Sequence, residues 1–286
     1  MAVIAPSSPF EPRLAWRGLG ALATDFRVRY QRSMFTGRGL FAGDDQRRLD
    51  ELDGALRDPS VRMILAARGG YGAQRIAHLA AWDALRAEPK WLVGFSDVTA
   101  LHLEATRVGV ASLHACNLTM LGRGDARARQ QLLQVLGAPP RARRVEGLLG
   151  LAEGRARGPL VGGNLTVLHG CAAAGRLALP EGAILLLEDV TELPYRIDRM
   201  LTTLQVGGHL AGVAAIVLGD FTHCGPGPDG VDVRAVLAER LAVLGVPVAA
   251  GLPVGHGRQN DPVALGLTAE LHVEGDRAAL VLAVDA

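Results

Sequence analysis

The sequence predicts an α/β fold whose strands are mostly parallel. Short apolar runs end abruptly at glycine or polar residues, and each run is followed by a segment with helical periodicity. Strands that are buried on both faces of a parallel sheet have this appearance, because helices cover both sides of them. A chain of 286 residues is long enough for one large domain or two modest ones, and we expect two.

The first part of the chain predicts strands that alternate with helices. The predicted strands are residues 2–5, 62–66 and 91–93, and the predicted helices are residues 44–56, residues 73–81 and a segment that ends near residue 107. The turn Gly94-Phe95-Ser96-Asp97 lies between the third strand and the last helix. A sharp turn between a strand and a helix is the context in which a nucleophile can be held exposed.

The second part of the chain begins after a region that is rich in arginine, glycine and proline. Apolar residues do not recur there at a regular spacing, which favours a linker. We place a first domain at 1–143, a linker at 144–157 and a second domain at 158–286. The second domain is predicted to contain strands at 183–187 and 214–218, helices at 165–174, 195–204 and 231–244, an apolar run at 246–252 and an antiparallel hairpin at 269–284.

Charge and cysteine content exclude several classes of function. The 30 lysines and arginines nearly balance the 29 aspartates and glutamates, so no net field attracts nucleic acid or an anionic membrane. We therefore expect a small-molecule or peptide substrate. Cys116, Cys171 and Cys224 are widely spaced, which argues against a disulfide framework or a zinc knuckle. With no secretory signal and no apolar run of membrane-spanning length, the sequence predicts a soluble, cytoplasmic protein.

Four loops that follow predicted strands carry chemically active residues. They contain Arg68 with a glycine cluster, Ser96, Glu188 and His256, and they follow residues 66, 93, 187 and 252. Ligands of parallel α/β sheets bind beyond the carboxyl ends of the strands, so these loops compete for one site. A serine, a carboxylate, a histidine and a glycine-rich loop are the parts of an acyl-transfer site.

Ser96 and the carboxylates that follow residue 187 also have structural interpretations. Ser96 is also a suitable N-cap for the following helix, and Val98 stands where the G-x-S-x-G motif has its second glycine. Glu188 follows a buried strand and suits a residue that orients a histidine, although Asp189 and Glu192 are close alternatives. We interpret Asp189 and Glu192 as a cap for the helix near residue 194 or as partners of nearby arginines.

His256 lies between two glycines in a predicted loop, where no apolar face accounts for it. That setting suits a general base. His102 falls in a helix-like stretch, and we interpret it as structural. No HxH or HExxH spacing occurs, so neither a metal nor a cofactor is expected. The loop at 68–72 is suited to stabilising an oxyanion through its backbone N–H groups, with phosphate binding as the rival interpretation.

Together the motifs resemble the LD-carboxypeptidase family of serine peptidases, which includes the microcin-immunity peptidases. The resemblance spans almost the whole chain through the ordered segments IAPSSP, RGGYG, GFSD, GGNL, LLLED, PYRIDRML, LGDFT and PVGHGRQN. It implies a triad of Ser96, Glu188 and His256, and an oxyanion hole formed by the N–H groups of Gly70 and Asp97.

The resemblance also implies an architecture and a substrate. It implies an N-terminal Rossmann-like domain with a parallel sheet, a smaller C-terminal mixed α/β domain, and an active site at the interface of the two domains. The implied protein is a homodimer that removes the terminal D-alanine from murein tetrapeptides during cell-wall recycling. Arg68 is a candidate for holding the terminal carboxylate, and its structural alternative is to support the loop.

Two segments depart from the family pattern, and two other functions stay open. Residues 112–116, Ser-Leu-His-Ala-Cys, replace a His-Gly-Pro-like stretch, and the region 10–43 is short and rich in arginine. The first alternative is a microcin-immunity-type hydrolase of acyl-sulfamoyl or peptidyl adenylates, which needs aromatic side chains that this chain largely lacks. The second is a non-enzymatic protein that binds an anion at the loop 68–72.

Overall fold

In a computed structural model the chain divides into two units. The structure describes residues 1–137, 142–228 and 230–283. The first unit comprises Met1–Ala138 and the second comprises Pro139–Ala286. The second unit is the longer one, so the expectation that the C-terminal part is the smaller was wrong.

The first unit is built on a parallel sheet. Its strands are β1 (Ala2–Ile4), β2 (Met63–Ala66), β3 (Trp91–Gly94) and β4 (Ser112–His114), which lie side by side in that order. Every residue of β1, β2 and β4 is buried, as is expected for strands covered by helices on both faces. The three strands predicted here from apolar runs are confirmed.

The helices of the first unit follow the predicted pattern with additions. They are α1 (Pro12–Ala23), α2 (Asp45–Arg57), α3 (Ala73–Ala77), α4 (Trp82–Ala87), α5 (Thr99–Arg107), α6 (Leu118–Gly122) and α7 (Ala126–Leu136), with short 3-10 helices at Arg32–Phe35 and Ser96–Val98. The Asp44 carboxylate caps α2 by accepting from the Arg47 N–H. The helix predicted at 73–81 consists of α3 and the turn before α4.

The second unit is a closed barrel of parallel and antiparallel strands. Its strands are β5 (Arg143–Ala152), β6 (Gly154–Asn164), β7 (Ala183–Val190), β8 (Val213–Thr222), β9 (Val248–Ala250), β11 (Thr268–Glu274) and β12 (Arg277–Leu282), and a short strand β10 covers Val263–Leu265. The strands β6, β7, β8 and β9 are parallel, and β5, β12 and β11 close the barrel with antiparallel pairs. The predicted C-terminal hairpin is confirmed as β11 and β12.

The linker expected at 144–157 is wrong, because these residues form most of β5 and the start of β6. Most of their side chains alternate between exposed and more buried positions, and the exposed positions carry arginine and glutamate together with Leu149 and Leu151. The composition therefore concealed the alternation of a strand with one face towards solvent. Pairing with β11 and β12 supplies the backbone hydrogen bonds.

Within the described part of the second unit, three helices accompany the barrel, whose interior holds the core. They are α8 (Leu165–Ala173), α9 (Pro194–Val206) and α10 (Val233–Ala242). Leu160, Ile184, Leu186, Val217 and Leu271 belong to one buried apolar cluster that draws on most strands of the barrel. Among the described residues, no helix combines the length and the apolar character that crossing a bilayer requires.

Candidate active site

Ser96 lies on a strained turn directly after β3. Its φ of 65° falls in the left-handed region, which residues other than glycine rarely adopt. Gly94 makes the turn possible, because a Cβ there would lie 2.9 Å from Cγ2 of Val98 and 3.1 Å from Cβ of Ala66. The N-cap alternative for Ser96 is wrong, since Val98 occupies the N-cap position of α5 and Ser96 is the first residue of the 3-10 helix.

The glycine loop 68–72 packs against Ser96. A Cβ on Gly69 would lie 2.9 Å from Cβ and 3.2 Å from Oγ of Ser96, so only glycine lets the loop backbone approach so closely. Gly70 has a φ of 102° and would collide with the Ser8 hydroxyl if it carried a side chain. This contact places the loop backbone beside the Ser96 hydroxyl, where N–H donors for an oxyanion are needed.

Two residues of the preceding chain anchor this loop. Ser8 donates its N–H to the Gly69 carbonyl at 3.3 Å, and its hydroxyl accepts from the Tyr71 N–H at 3.0 Å. The fully buried Arg48 guanidinium donates to the carbonyl of Gly72 at 2.8 Å and also to that of Pro6. The loop is therefore tied to the segment that follows β1.

Asp97 connects the serine turn to α3. Its carboxylate is buried and accepts from the Ala73 N–H at 2.7 Å. Burial raises the pKa of Asp97, while the Ser7 hydroxyl and the Ala73 N–H oppose that rise. Because α3 directly follows the glycine loop, this bond holds residue 97 and the loop in a common arrangement.

His102 braces the end of β3 from within α5. Its Nε2 lies 3.0 Å from the Gly94 carbonyl oxygen and its Nδ1 lies 2.9 Å from the Ser112 hydroxyl. A carbonyl can only accept, so Nε2 carries the proton and Nδ1 accepts from Ser112. Burial lowers the pKa of His102 to about 4, so the ring is neutral near pH 7. The interpretation of His102 as structural fits this position.

Arg68 lies exposed at the start of the glycine loop. Its guanidinium donates to the carbonyl of Pro9. This bond supports the loop, as the structural alternative for Arg68 proposed. The assignment of Arg68 to a substrate carboxylate stays a prediction.

In the second unit, Glu188 and His256 form a hydrogen-bonded pair. Glu188 lies in β7 with no exposed surface, and its Oε2 is 2.7 Å from Nδ1 of His256. Burial raises the pKa of Glu188, and the His256 ring opposes the rise. An Nδ1–H that donates to the carboxylate makes Nε2 the basic nitrogen of the ring, which is the tautomer that a general base requires.

Glycines allow the His256 loop to lie against Glu188. Gly255 has a φ of 125°, and a Cβ there would lie 2.8 Å from Oε2 of Glu188. A Cβ on Gly219, in β8, would lie 3.2 Å from Cβ of Glu188 and 2.4 Å from the Val254 carbonyl oxygen. Both positions exclude a side chain, so the imidazole and the carboxylate can meet at hydrogen-bond distance.

The neighbouring carboxylates have other partners. Asp189 accepts from the N–H and the hydroxyl of Thr166 at 2.9 and 2.8 Å, so it stabilises the start of α8 and not the helix near residue 194. Glu192 lies 3.7 Å from Arg196 in an ion pair, as the structural interpretation of Glu192 predicted. Glu188 is the carboxylate that contacts His256.

Sequence reasoning missed several residues that hold these loops in place. Ser8 and Arg48 support the glycine loop, and Asp220 and Asn260 lie against the His256 loop. Ser8 and Asp220 lie in the motifs IAPSSP and LGDFT, which was the available signal. Nothing in the amphipathic pattern of α2 indicated that Arg48 is buried. Within the described residues, no group of three or more His, Cys, Asp or Glu side chains could hold a metal ion.

These two sets of residues define a class of protein. A serine on a strained turn beside a glycine loop, and a histidine oriented by a buried carboxylate, are the parts used by serine hydrolases. Residues 1–115 match the model of the LD-carboxypeptidase N-terminal domain, and residues 157–271 match that of the LD-carboxypeptidase C-terminal domain. The chain therefore belongs to the LD-carboxypeptidase family.

Individual relatives agree with this assignment. The chain is 40% identical over 270 residues to a putative carboxypeptidase of Synechocystis, a match that covers 93% of the chain and 85% of the relative. It is 35% identical over 247 residues to a murein tetrapeptide carboxypeptidase of Pseudomonas aeruginosa, covering 82% and 80%. Its structure is similar to the crystal structure of a muramoyltetrapeptide carboxypeptidase from Oxalobacter formigenes, with a TM-score of 0.87, 28% identity and 99% coverage of both chains.

Proposed function

We propose that the protein is a serine carboxypeptidase that releases the terminal D-alanine from murein tetrapeptides. The observation that carries this proposal is the 2.7 Å contact between Nδ1 of His256 and the buried carboxylate of Glu188. Such a contact has a clear use in acyl transfer, where it orients the imidazole and stabilises its charged form. The names of the relatives, among them a murein tetrapeptide carboxypeptidase, support the choice of substrate.

In the proposed mechanism Ser96 is the nucleophile. His256 takes the Ser96 proton while the oxygen attacks the carbonyl of the scissile bond, and Glu188 stabilises the imidazolium. The N–H groups of Gly70 and Asp97 donate to the oxyanion. The imidazolium then gives its proton to the departing amine of D-alanine, and a water molecule activated by His256 hydrolyses the acyl-serine ester.

The strained turn supports the role of Ser96. A φ of 65° at a serine costs free energy, and such strain is retained where the position of the side chain matters. The close approach of Gly69 supports the neighbouring oxyanion hole, because the loop comes so near Ser96 that a side chain at position 69 would overlap it. Arg68 is proposed to bind the terminal carboxylate of the peptide, since a guanidinium can donate to both of its oxygens.

The direct test is release of D-alanine from purified tetrapeptide, measured by chromatography of the free amino acid. The wild-type protein should release D-alanine, and Ser96→Ala should lose at least about 1000-fold in kcat while its circular dichroism is unchanged. A tetrapeptide that ends in L-alanine is the matched substrate control. Turnover confined to an acyl-sulfamoyl adenylate would reject the murein substrate, and the absence of any turnover would favour the anion-binding alternative.

We also propose that the protein acts in the cytoplasm as a homodimer. Both proposals rest on the family resemblance. No disulfide joins Cys116, Cys171 or Cys224 in the described part of the chain, which fits a reducing compartment. Light scattering coupled to gel filtration would measure the mass against the 30.1 kDa of one chain. A mass that matches a single chain across the tested concentrations would reject the dimer.

A further inference from the structure

The two backbone N–H groups that flank His256 both donate to side chains of the second unit. The Gly255 N–H donates to Oδ1 of Asn260 at 3.0 Å. The Gly257 N–H donates to the carboxylate of Asp220. A hydrogen bond on each side of one residue restrains the backbone that carries its side chain, so these two bonds restrict the position of the imidazole.

The two glycines beside His256 each lie close to a carboxylate. A Cβ on Gly257 would lie 1.9 Å from Oδ2 and 2.6 Å from Cγ of Asp220, so the loop lies flush against this carboxylate. On the other side, Gly255 lies flush against Glu188. His256 is thus bordered by a carboxylate that contacts its ring and another that contacts the backbone behind it.

Asp220 belongs to a strand of the barrel. It lies in β8, and its own N–H donates to the Val254 carbonyl at 2.8 Å. On the far side of the loop, the Asp261 N–H donates to the Pro253 carbonyl at 2.8 Å. The loop is therefore attached to the end of β8 before His256 and closed by its own downstream residues after it.

A contribution to protein stability alone does not explain why Asp220 and Asn260 occupy these positions. Asn260 is buried, and within the described part of the chain its Nδ2 has no hydrogen-bond partner. A buried amide with an unsatisfied N–H group costs free energy. Asp220 is half-buried and forms no ion pair with a described basic side chain, so its charge gains no direct compensation.

We propose that Asp220 and Asn260 are positioning residues that hold the His256 imidazole in its working orientation. This inference rests on the proposed function, because it assigns His256 the role of general base. Both residues act through the backbone of the loop, and neither contacts the reacting atoms. The hydrogen-bond acceptor is the feature that matters at position 220, and the negative charge is not required.

The experiment compares Asp220→Ala, Asp220→Asn and Asn260→Ala in the full-length protein with murein tetrapeptide. Misplacing a catalytic group by about 1 Å can cost about 100-fold in rate, so both alanine variants should lose about 10-fold to 100-fold in kcat with little change in KM. Asp220→Asn keeps an oxygen acceptor for the Gly257 N–H and should stay within about three-fold of the wild type. The double alanine variant should lose less than the product of the single losses, since both act on one ring.

Asp232→Ala is the matched control. It removes another bond between a carboxylate and the backbone in the same unit, at the start of α10, and should leave kcat unchanged. The rate at which a fluorophosphonate labels Ser96 gives a second measurement that does not depend on the peptide, and it should fall with kcat in the alanine variants.

The outcomes separate the two proposals. Wild-type kcat in both Asp220→Ala and Asn260→Ala, alongside an inactive His256→Ala, would overturn the positioning role and leave the triad intact. A loss in Asp220→Asn as large as in Asp220→Ala would also overturn it, because the charge would then be the active feature. Full activity of His256→Ala would instead reject the proposed function.

Discussion

His102 should make the first unit less stable as the pH falls below 7, and His102→Gln should remove that dependence. The ring is fully buried and neutral, and its Nε2–H donates to the Gly94 carbonyl two residues before Ser96. Protonation would place a positive charge on a fully buried ring, and Nδ1 could then no longer accept from the Ser112 hydroxyl. A glutamine can also donate to the Gly94 carbonyl, and it does not titrate.

The magnitude follows from the pKa of His102, which burial lowers from 6.5 to about 4. The lowered value means that the unfolded chain binds the proton more readily, so the contribution to stability is present above pH 6.5 and lost as the pH falls towards 4. One pKa unit corresponds to about 1.4 kcal/mol, which makes the full loss about 3 kcal/mol. Between pH 7 and pH 5 the loss should be about 2 kcal/mol.

Chemical denaturation followed by tryptophan fluorescence measures this effect in the right part of the chain. Trp16, Trp82 and Trp91 all lie in the first unit, so the signal reports the unfolding of the unit that contains His102. The free energy of unfolding is measured at pH 7 and pH 5 for the wild type and for His102→Gln. The change between the two pH values in the variant is then subtracted from the change in the wild type. The subtraction cancels the other titrating groups, which both proteins share.

The result that refutes this reasoning is an equal change in unfolding free energy for the two proteins between pH 7 and pH 5. In that case His102 would not titrate differently in the folded and unfolded states, and its burial would not control its protonation. A larger pH dependence in His102→Gln than in the wild type would refute it as well.

Three further substitutions test the packing around the site. Gly255→Ala places a Cβ 2.8 Å from Oε2 of Glu188 at a φ of 125°. It should lower the free energy of unfolding by about 1–3 kcal/mol, measured by chemical denaturation, and abolish turnover. A normal kcat would show that the loop can move aside. Gly69→Ala should push Ser96 out of place and lower kcat more than it lowers the melting temperature, and an unchanged rate of serine labelling would contradict this. Asp189→Ala removes the hydrogen bonds to the start of α8 and should cost about 1–2 kcal/mol of stability. Its kcat should stay near the wild-type value, and a large loss of kcat would assign Asp189 to the chemistry.

Local pattern was sufficient for most buried strands. The apolar runs at the start of the chain, before the glycine loop and before Ser96 each formed a strand, because runs of this length between glycine or polar residues have few other folded forms. The same reasoning failed at 144–157, where arginine and glycine obscured the strands β5 and β6. A strand with one solvent-facing side is recognised only by its alternation, and its pairing partners come from the other end of the chain.

The supporting residues were beyond the reach of local pattern. Arg48 is charged and lies in an amphipathic helix, yet it is buried where two backbone carbonyls need a donor. Asn260 and Asp220 lie 40 residues apart in the sequence and meet the same short loop. The role of such a polar residue depends on which distant backbone group it forms a hydrogen bond with, and sequence spacing does not contain that information.

By itself the sequence determined most of the buried strands and the residue types at their ends, including Ser96 and His256, because burial and glycine content act over short distances. Local reasoning left three carboxylates open as partners of His256. The tertiary structure decided between them: Glu188, 68 residues away, lies 2.7 Å from the ring, while Asp189 and Glu192 are bound elsewhere. Adjacent side chains on a strand point to opposite faces, so only packing selects the one that meets the imidazole.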